Sequence, residues 1–221
     1  MADLPKCRRT SWAEVDGWAD RLTEKILGAG DPPETIVGLT RGGWVAARLL
    51  ADRLGVRRMV SLRAQHWGVT ATKDGKARLS EGLSGGVEDQ DVLVVDDITD
   101  TGESLKLALD HVRAAGPKRV ETATFLHIAH SKFVPSYYAE EIPREAWVWV
   151  VFPWNYWEDL RSLVERVGDK SLTAAGIRLA LAQGCGLDVP LEDVERVLRK
   201  DNVPAAPPPP KRVSTRRSRA S

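Results

Sequence analysis

Cysteine is scarce in this chain of 221 residues, which contains only Cys7 and Cys185. Two cysteines are too few for the disulfide framework of a small secreted domain, and their spacing fits no zinc-binding motif. The first twelve residues, MADLPKCRRTSW, lack the apolar core of a signal peptide, and no apolar run has the length of a membrane span. We therefore expect two reduced thiols in a cytoplasmic protein that does not bind membranes.

A strong charge of either sign is also absent, because the net charge is only +1. The five charged residues between positions 203 and 221 are all basic, and without them the net charge falls from +1 to −4. A mildly acidic body lacks the basic surface of a nucleic-acid-binding domain, so we do not expect a nucleic-acid partner. The prolines at 207–210 and the basic residues after them predict a disordered tail over residues 203–221.

Apolar strand patterns and amphipathic helix patterns alternate along most of the chain. Strand patterns occur at residues 35–39, 58–62, 92–95, 120–129 and 146–152, with helical patterns between and after them. This alternation predicts an α/β fold with an open, mostly parallel twisted sheet flanked by helices, and a C-terminal helical extension. Between residues 64 and 90 the periodicity disappears, and a connection of that length is commonly functional.

The segment VLVVDDITDTGES, residues 92–104, contains the side chains best suited to chemistry. Asp96 and Asp97 follow an apolar strand, at the end of a parallel sheet where ligands bind. Two adjacent carboxylates can accept hydrogen bonds from ribose hydroxyls and can hold the water shell of Mg²⁺. Residues 101–104 then open a helix, where free backbone N–H groups and the helix dipole favour a phosphate. The chain contains no P-loop motif.

Helix capping alone would account for one or two of these polar residues. It would not account for three carboxylates, Asp96, Asp97 and Asp100, within five positions, because they repel one another without a cation. The segment is therefore interpreted as a binding site for a ribose 5-phosphate group and its metal-bound pyrophosphate.

Residues 92–104 closely resemble the signature of type I phosphoribosyltransferases: four apolar residues, two acidic residues, two intermediate residues and then D-T-G-x-S/T. Residues 38–43, GLTRGG, are similar to the pyrophosphate loop of xanthine-guanine phosphoribosyltransferases. Residues 146–154, AWVWVVFPW, resemble the segment that stacks on the purine in that subfamily and its archaeal relatives. The resemblance covers roughly residues 35–157 and implies the fold of that family, with a small hood over the sheet.

The resemblance also implies a role for each matching residue. Asp96 and Asp97 would contact the ribose hydroxyls and the waters of Mg²⁺, while Asp100 would act as general base or acid near purine N7. The residues implied to bind pyrophosphate are Thr40, Arg41 and Gly42, with a cis peptide between the first two and with Arg41 stabilising the developing charge. The residues implied to bind the 5′-phosphate are Thr101, Gly102, Glu103 and Ser104. The residues implied to hold the base are Trp149, through its ring, and Val150, through its backbone.

On this basis we expect a phosphoribosyltransferase domain over residues 1–168, with a flexible lid at about 64–90 and a base-binding hood at about 126–157. A C-terminal helical extension over residues 169–202 and the disordered tail over 203–221 would follow. The resemblance favours a homodimer.

The function implied is transfer of a 5-phosphoribosyl group from 5-phosphoribosyl diphosphate to hypoxanthine, guanine or xanthine, in purine salvage. The chain departs from its relatives at two positions: the lysine that contacts the 6-oxo group aligns with Ile128, and the acidic residue after the Pro-Trp pair is Asn155. Three alternatives therefore stay open: another base such as adenine or a pyrimidine, a regulator that senses the donor without catalysis, and a nucleic-acid role for the tail and terminal helices.

Overall fold

The computed structural model describes residues 4–66, 77–168 and 171–199, and within them eight strands and six α-helices. The strands are β1 Cys7–Arg9, β2 Thr35–Thr40, β3 Arg58–His66, β4 Ala77–Glu81, β5 Asp91–Thr99, β6 Arg119–Ile128, β7 Tyr137–Ile142 and β8 Trp149–Val151. The helices are α1 Trp12–Ala29, α2 Gly42–Leu54, α3 Glu103–Ala114, α4 Tyr156–Val167, α5 Ala174–Cys185 and α6 Leu191–Leu198.

The central sheet has six strands in the order β4-β3-β2-β5-β6-β7. Every neighbouring pair is parallel except β3 and β4, which are antiparallel. Strands β1 and β8 form a separate parallel pair. The predicted open, mostly parallel sheet flanked by helices is therefore confirmed.

Strand β5 shows how helices cover both faces of the sheet. Leu93 and Val95 are buried with α1 and α2 on one face, while Val92 and Val94 are buried with α3 on the other. Successive side chains of a strand point to opposite faces, so a strand covered on both sides needs a continuous apolar sequence. The helices after β2 and β5 thus lie on opposite faces, which makes the gap between the ends of these strands a topological switch point. Ligands bind at such points.

Helix α1 begins where the sequence predicts. Ser11 is the N-cap, and its side chain and that of Glu14 each accept a hydrogen bond from the other residue's backbone N–H. This capping box satisfies two N–H groups that would otherwise lack a partner. The buried stripe of the helix includes Val15, Trp18 and Leu22, and it packs on the sheet core.

Strand β5 is longer than the sequence pattern indicates. The apolar run ends at Val95, yet pairing with β6 continues as far as Thr99 and His127. Asp96 and Asp97 therefore lie within the strand rather than behind it. Periodicity did not reveal this extension because it depends on backbone pairing with a neighbouring strand and not on apolar side chains.

The predicted loop over residues 64–90 is also shorter than expected. Strand β3 runs to His66 and pairs with the returning strand β4, whose polar sequence gave no strand signal. Val87 is buried in the core beside α3, so the end of the segment packs against the body of the protein. Residues 67–76 of the predicted lid lie outside the described residues.

The last three helices share one apolar cluster with the small sheet. Leu160, Leu181 and Val194, from α4, α5 and α6, are fully buried in a cluster that also contains Val151 of β8, with Cys7 of β1 packed against it. The predicted helical extension therefore packs on the hood and on α4. The tail over residues 203–221 lies outside the described residues. Within the described part of the chain, no helix combines the length and the apolar character that a membrane span requires.

Candidate active site

The start of helix α2 lies directly against the two aspartates of β5. A Cβ atom on Gly42 would overlap the carboxylate of Asp97, and one on Gly43 would lie 2.7 Å from the Cα of Asp96. Only glycine permits such a close approach of two backbones. The structure thus brings together the two segments that the sequence singled out, one after β2 and one at the end of β5.

Asp96 and Asp97 are costly to ionise where they lie. Asp97 is only 8% exposed, and burial raises its pKa above the ordinary value, although an N–H bond from Trp154 to Oδ2, 3.1 Å long, favours the ionised form. Burial, and then the negative charge of Asp97, raise the pKa of Asp96 well above its ordinary value. Two such carboxylates are stabilised by a ligand that brings hydroxyl donors or positive charge.

This acidic pair fits a magnesium ion that keeps most of its other ligands. Among residues 4–66, 77–168 and 171–199, no group of three or more His, Cys, Asp or Glu side chains is arranged to hold a metal. Magnesium, however, is commonly bound by one or two carboxylates together with waters and substrate phosphates. Asp96 and Asp97 could hold it in that way, provided that a phosphorylated ligand is present.

The peptide bond between Thr40 and Arg41 is cis, as the resemblance implied. Arg41 precedes the first turn of α2, and its side chain is 70% exposed. The guanidinium donates to both carboxylate oxygens of Glu158 on α4, at 2.7 and 2.5 Å. An anion that binds Arg41 would therefore compete with Glu158, a residue that the sequence reading did not assign to the site.

Asp100 lies just beyond β5 and has two nitrogen partners. His130 Nε2 lies 2.7 Å from its Oδ1, and the indole N–H of Trp147 donates to the same oxygen at 3.3 Å. His130 belongs to the turn after β6, and Trp147 lies just before β8. Asp100 is thus the point at which the hood meets the end of the central sheet.

The turn over residues 101–104 has the geometry expected of a phosphate loop. Gly102 has a φ of 81° and forms the N-cap of α3. A Cβ on Gly102 would lie 2.6 Å from Ser131 Oγ and from the Cβ of Phe133, so the turn after β6 packs tightly on it. The N–H groups of the first turn of α3, which include those of Glu103 and Ser104, are oriented for an anion at this end of the helix.

Trp149 does not share the position of Asp100. Its ring packs with the cluster of α4, α5 and α6, and its N–H donates to Asp159 at 3.1 Å. Trp147, two residues earlier, packs instead against the core of the central sheet. Trp149 as the base platform stays a prediction, and the geometry favours Trp147 for contact with a ligand at Asp100.

Val150 has the backbone orientation that the resemblance implied. The N–H of Trp149 bonds to the carbonyl of Lys6, and the N–H of Thr10 bonds to the carbonyl of Val151. Residues 149 and 151 thus face β1, and alternation along a strand directs the N–H and C=O of Val150 away from β1.

Asp159 is a buried carboxylate beside this site. It is 5% exposed, and its Oδ2 has no hydrogen-bond partner within the described residues. Burial raises its pKa to about 7, with further contributions from the charges of Glu158 and Asp97, while the hydrogen bond from Trp149 opposes the shift. The sequence offered no signal for it, because an Asp in the first turn of a helix is commonly a solvated residue that interacts with the dipole.

A model of the phosphoribosyl transferase domain matches residues 10–159 of the chain. A xanthine-guanine phosphoribosyltransferase of Cereibacter sphaeroides is 27% identical over 151 residues, which are 66% of this chain and 84% of that protein. A purine phosphoribosyltransferase from Pyrococcus horikoshii has a crystal structure that superposes with a TM-score of 0.58 at 27% identity, covering 67% of this chain and 94% of that one.

A xanthine-guanine-hypoxanthine phosphoribosyltransferase from Helicobacter pylori superposes with a TM-score of 0.55 over 71% of this chain and 99% of its own. Its sequence identity is 20%, so this likeness concerns the fold alone.

Asp159 predicts a measurable dependence of stability on pH. Its pKa is about 7 in the folded protein, against an ordinary value of 3.8, so the folded state keeps a proton that the unfolded state releases. The free energy of unfolding should therefore fall as the pH rises from about 4 to about 7. Between pH 5 and pH 8, we expect Asp159→Asn to remove a decline on the order of 2 kcal/mol.

Urea denaturation of the two proteins at both pH values measures this difference. Asn keeps an oxygen that can accept from Trp149, so the substitution changes the charge and preserves the hydrogen bond. Asp110→Asn, at an exposed carboxylate paired with Lys106, serves as the control. Equal pH dependence in wild type and Asp159→Asn would show that Asp159 is ionised throughout this range.

Proposed function

The chain belongs to the phosphoribosyl transferase family, and on that premise we propose that it is a pentosyltransferase that moves a 5-phosphoribosyl group from 5-phosphoribosyl diphosphate to a purine base. The observation that carries the proposal is the contact between the glycines of α2 and the acidic pair Asp96–Asp97. This contact places a cationic loop, two carboxylates and a phosphate-binding turn around one switch point. Those are the groups that a phosphorylated ribose with a diphosphate leaving group requires.

The donor would bind across the ends of β2 and β5. The 5′-phosphate would accept hydrogen bonds from the turn over residues 101–104, and the ribose hydroxyls would donate to Asp96 and Asp97. The diphosphate would lie at residues 40–42, where Arg41 would leave Glu158 to stabilise it. A magnesium ion held by Asp96 and Asp97 would add further stabilisation of the negative charge.

In the reaction, the purine N9 would form a bond to C1′ of the ribose as the bond from C1′ to the diphosphate oxygen breaks. The bonding electrons leave with the diphosphate, and the configuration at C1′ inverts. Asp100 would accept the proton from N7 of the base, so that the product is neutral at that ring. A general base typically contributes about 10²–10⁴-fold, so positioning and charge stabilisation must supply most of the acceleration.

The base would lie under the hood, between Asp100 and the segment around β8. Trp147 offers an aromatic ring and Val150 offers backbone groups directed away from β1. Hypoxanthine, guanine and xanthine are the proposed acceptors, in keeping with the purine bases in the names of the relatives. We further propose a role in purine salvage in the cytoplasm, a homodimeric assembly and a lid formed by the segment before β4.

The first experiment is an assay of purified protein with Mg²⁺, 5-phosphoribosyl diphosphate and a panel of bases, in which both nucleotide and diphosphate are measured. We expect nucleotide formation with at least one 6-oxopurine. Asp100→Asn should lower kcat by about 10²–10⁴-fold, because the amide cannot accept the proton.

Asp110→Asn, a carboxylate far along α3 from the phosphate turn, is the matched control for Asp100→Asn. Near wild-type turnover by Asp100→Asn would remove this residue from the mechanism. Binding of the donor without turnover of any base would instead favour a sensor, and turnover of adenine or a pyrimidine alone would change the acceptor.

Glu158 predicts a separate effect on the donor. Because Glu158 competes with diphosphate for Arg41, Glu158→Gln should lower the KM for 5-phosphoribosyl diphosphate by about 2- to 5-fold, in line with the energy of an exposed ion pair. The melting temperature should change little, since the side chains are 70% and 50% exposed. Asp52→Asn breaks an equally exposed pair with Arg48 elsewhere on α2 and should leave the KM unchanged. An unchanged KM in Glu158→Gln would exclude competition at Arg41.

A further inference from the structure

We infer that His130 is a specificity-determining residue that selects bases with an oxygen at position 6 over bases with an amino group there. The inference rests on the proposed function and names the residue that reads the base. It comes from the pair that His130 forms with Asp100, whose atoms Nε2 and Oδ1 are 2.7 Å apart.

The polarity of this pair follows from its third member. The indole nitrogen of Trp147 can only donate, and it donates to Oδ1 of Asp100 at 3.3 Å. Oδ1 is therefore an acceptor. His130 approaches the same oxygen with Nε2, so its hydrogen must be on Nε2. The hood thus presents an acceptor, Asp100, directly beside a donor, His130.

A purine presents its own pair of groups at neighbouring positions 6 and 7. In a 6-oxopurine that carries its proton on N7, an N–H donor lies beside the acceptor O6. In adenine, the same N–H lies beside an amino group, which is a second donor. The Asp100–His130 pair is complementary to the first arrangement, whereas the second would place a donor against the Nε2–H of His130.

The fold holds His130 at the right edge of the sheet. The turn that carries it packs on Gly102, through Ser131 and Phe133, and Lys132 donates its backbone N–H to the carbonyl of Thr101. The N–H of Ala129 is bonded to the carbonyl of Ile142. The side chain of His130 is nonetheless 29% exposed, so its N–H can turn from Asp100 to O6 as the base arrives.

Neighbouring residues of the same segment do not offer this donor. Ile128 is fully buried in the apolar core of the sheet. His127 is 3% exposed and stacks near Tyr138, with a centroid distance of 4.9 Å. Lys132 is exposed on the same turn, and it is the alternative cation that an experiment must separate from His130.

The test compares kcat/KM for hypoxanthine and adenine in wild type and in three variants. We expect wild type to favour hypoxanthine, and His130→Asn, whose amide is too short to reach, to reduce the hypoxanthine-to-adenine ratio by about 10- to 100-fold. His130→Gln, which places an N–H near the original Nε2, should keep hypoxanthine efficiency within about threefold. The KM for 5-phosphoribosyl diphosphate should stay constant, because the donor does not contact this side chain.

Lys132→Ala is the control, and the ratio should not change in it. The inference is overturned if wild type prefers adenine, if His130→Asn keeps the wild-type ratio, or if Lys132→Ala loses the preference instead. Failure of wild type to use any base would overturn the proposed function itself, and the inference with it. Asn and Gln differ by one methylene, so equal loss in both variants would indicate a structural role and would also overturn the inference.

Discussion

The approach of helix α2 to strand β5 is the constraint on which the site depends. Gly42 and Gly43 leave no room for a side chain beside Asp96 and Asp97, so the loop after β2 and the acidic end of β5 are fixed relative to each other. The apolar faces of β5 in turn fix the strand between α2 and α3. A ligand at this switch point therefore meets carboxylates, a cis peptide loop and a helix N-terminus whose positions were set by folding.

Tryptophan supplies the second common feature of the site. Three indole N–H groups donate to three acidic side chains: Trp147 to Asp100, Trp149 to Asp159 and Trp154 to Asp97. An indole orients a carboxylate without cancelling its charge, unlike an arginine or lysine partner. These carboxylates keep their negative charge available for a cation, hydroxyl groups or a base proton, and the same lack of positive neighbours is consistent with the raised pKa values of Asp97 and Asp159.

The order of strands and helices, and the donor segments, could be predicted from the sequence because they depend on local patterns. The apolar run before Asp96 predicted a doubly covered strand, and Gly102 predicted a helix start that a side chain would obstruct. The partners of Asp100 and Arg41 could not be predicted in this way. His130 and Glu158 reach them from residues 30 and 117 positions away, through turns whose geometry depends on the packing of the whole hood. Strand β4 and the end of β5 were missed for a related reason, since backbone pairing defines them.

The account therefore rests most directly on the donor site, and calorimetric titration of 5-phosphoribosyl diphosphate into the protein tests it. The account predicts saturable binding in the presence of Mg²⁺, and binding at least about tenfold weaker in Asp97→Asn, where one carboxylate charge of the pair is removed and the side-chain volume is kept. Absence of binding by the wild type, or equal affinity in the two proteins, would contradict the assignment of this switch point as the donor site.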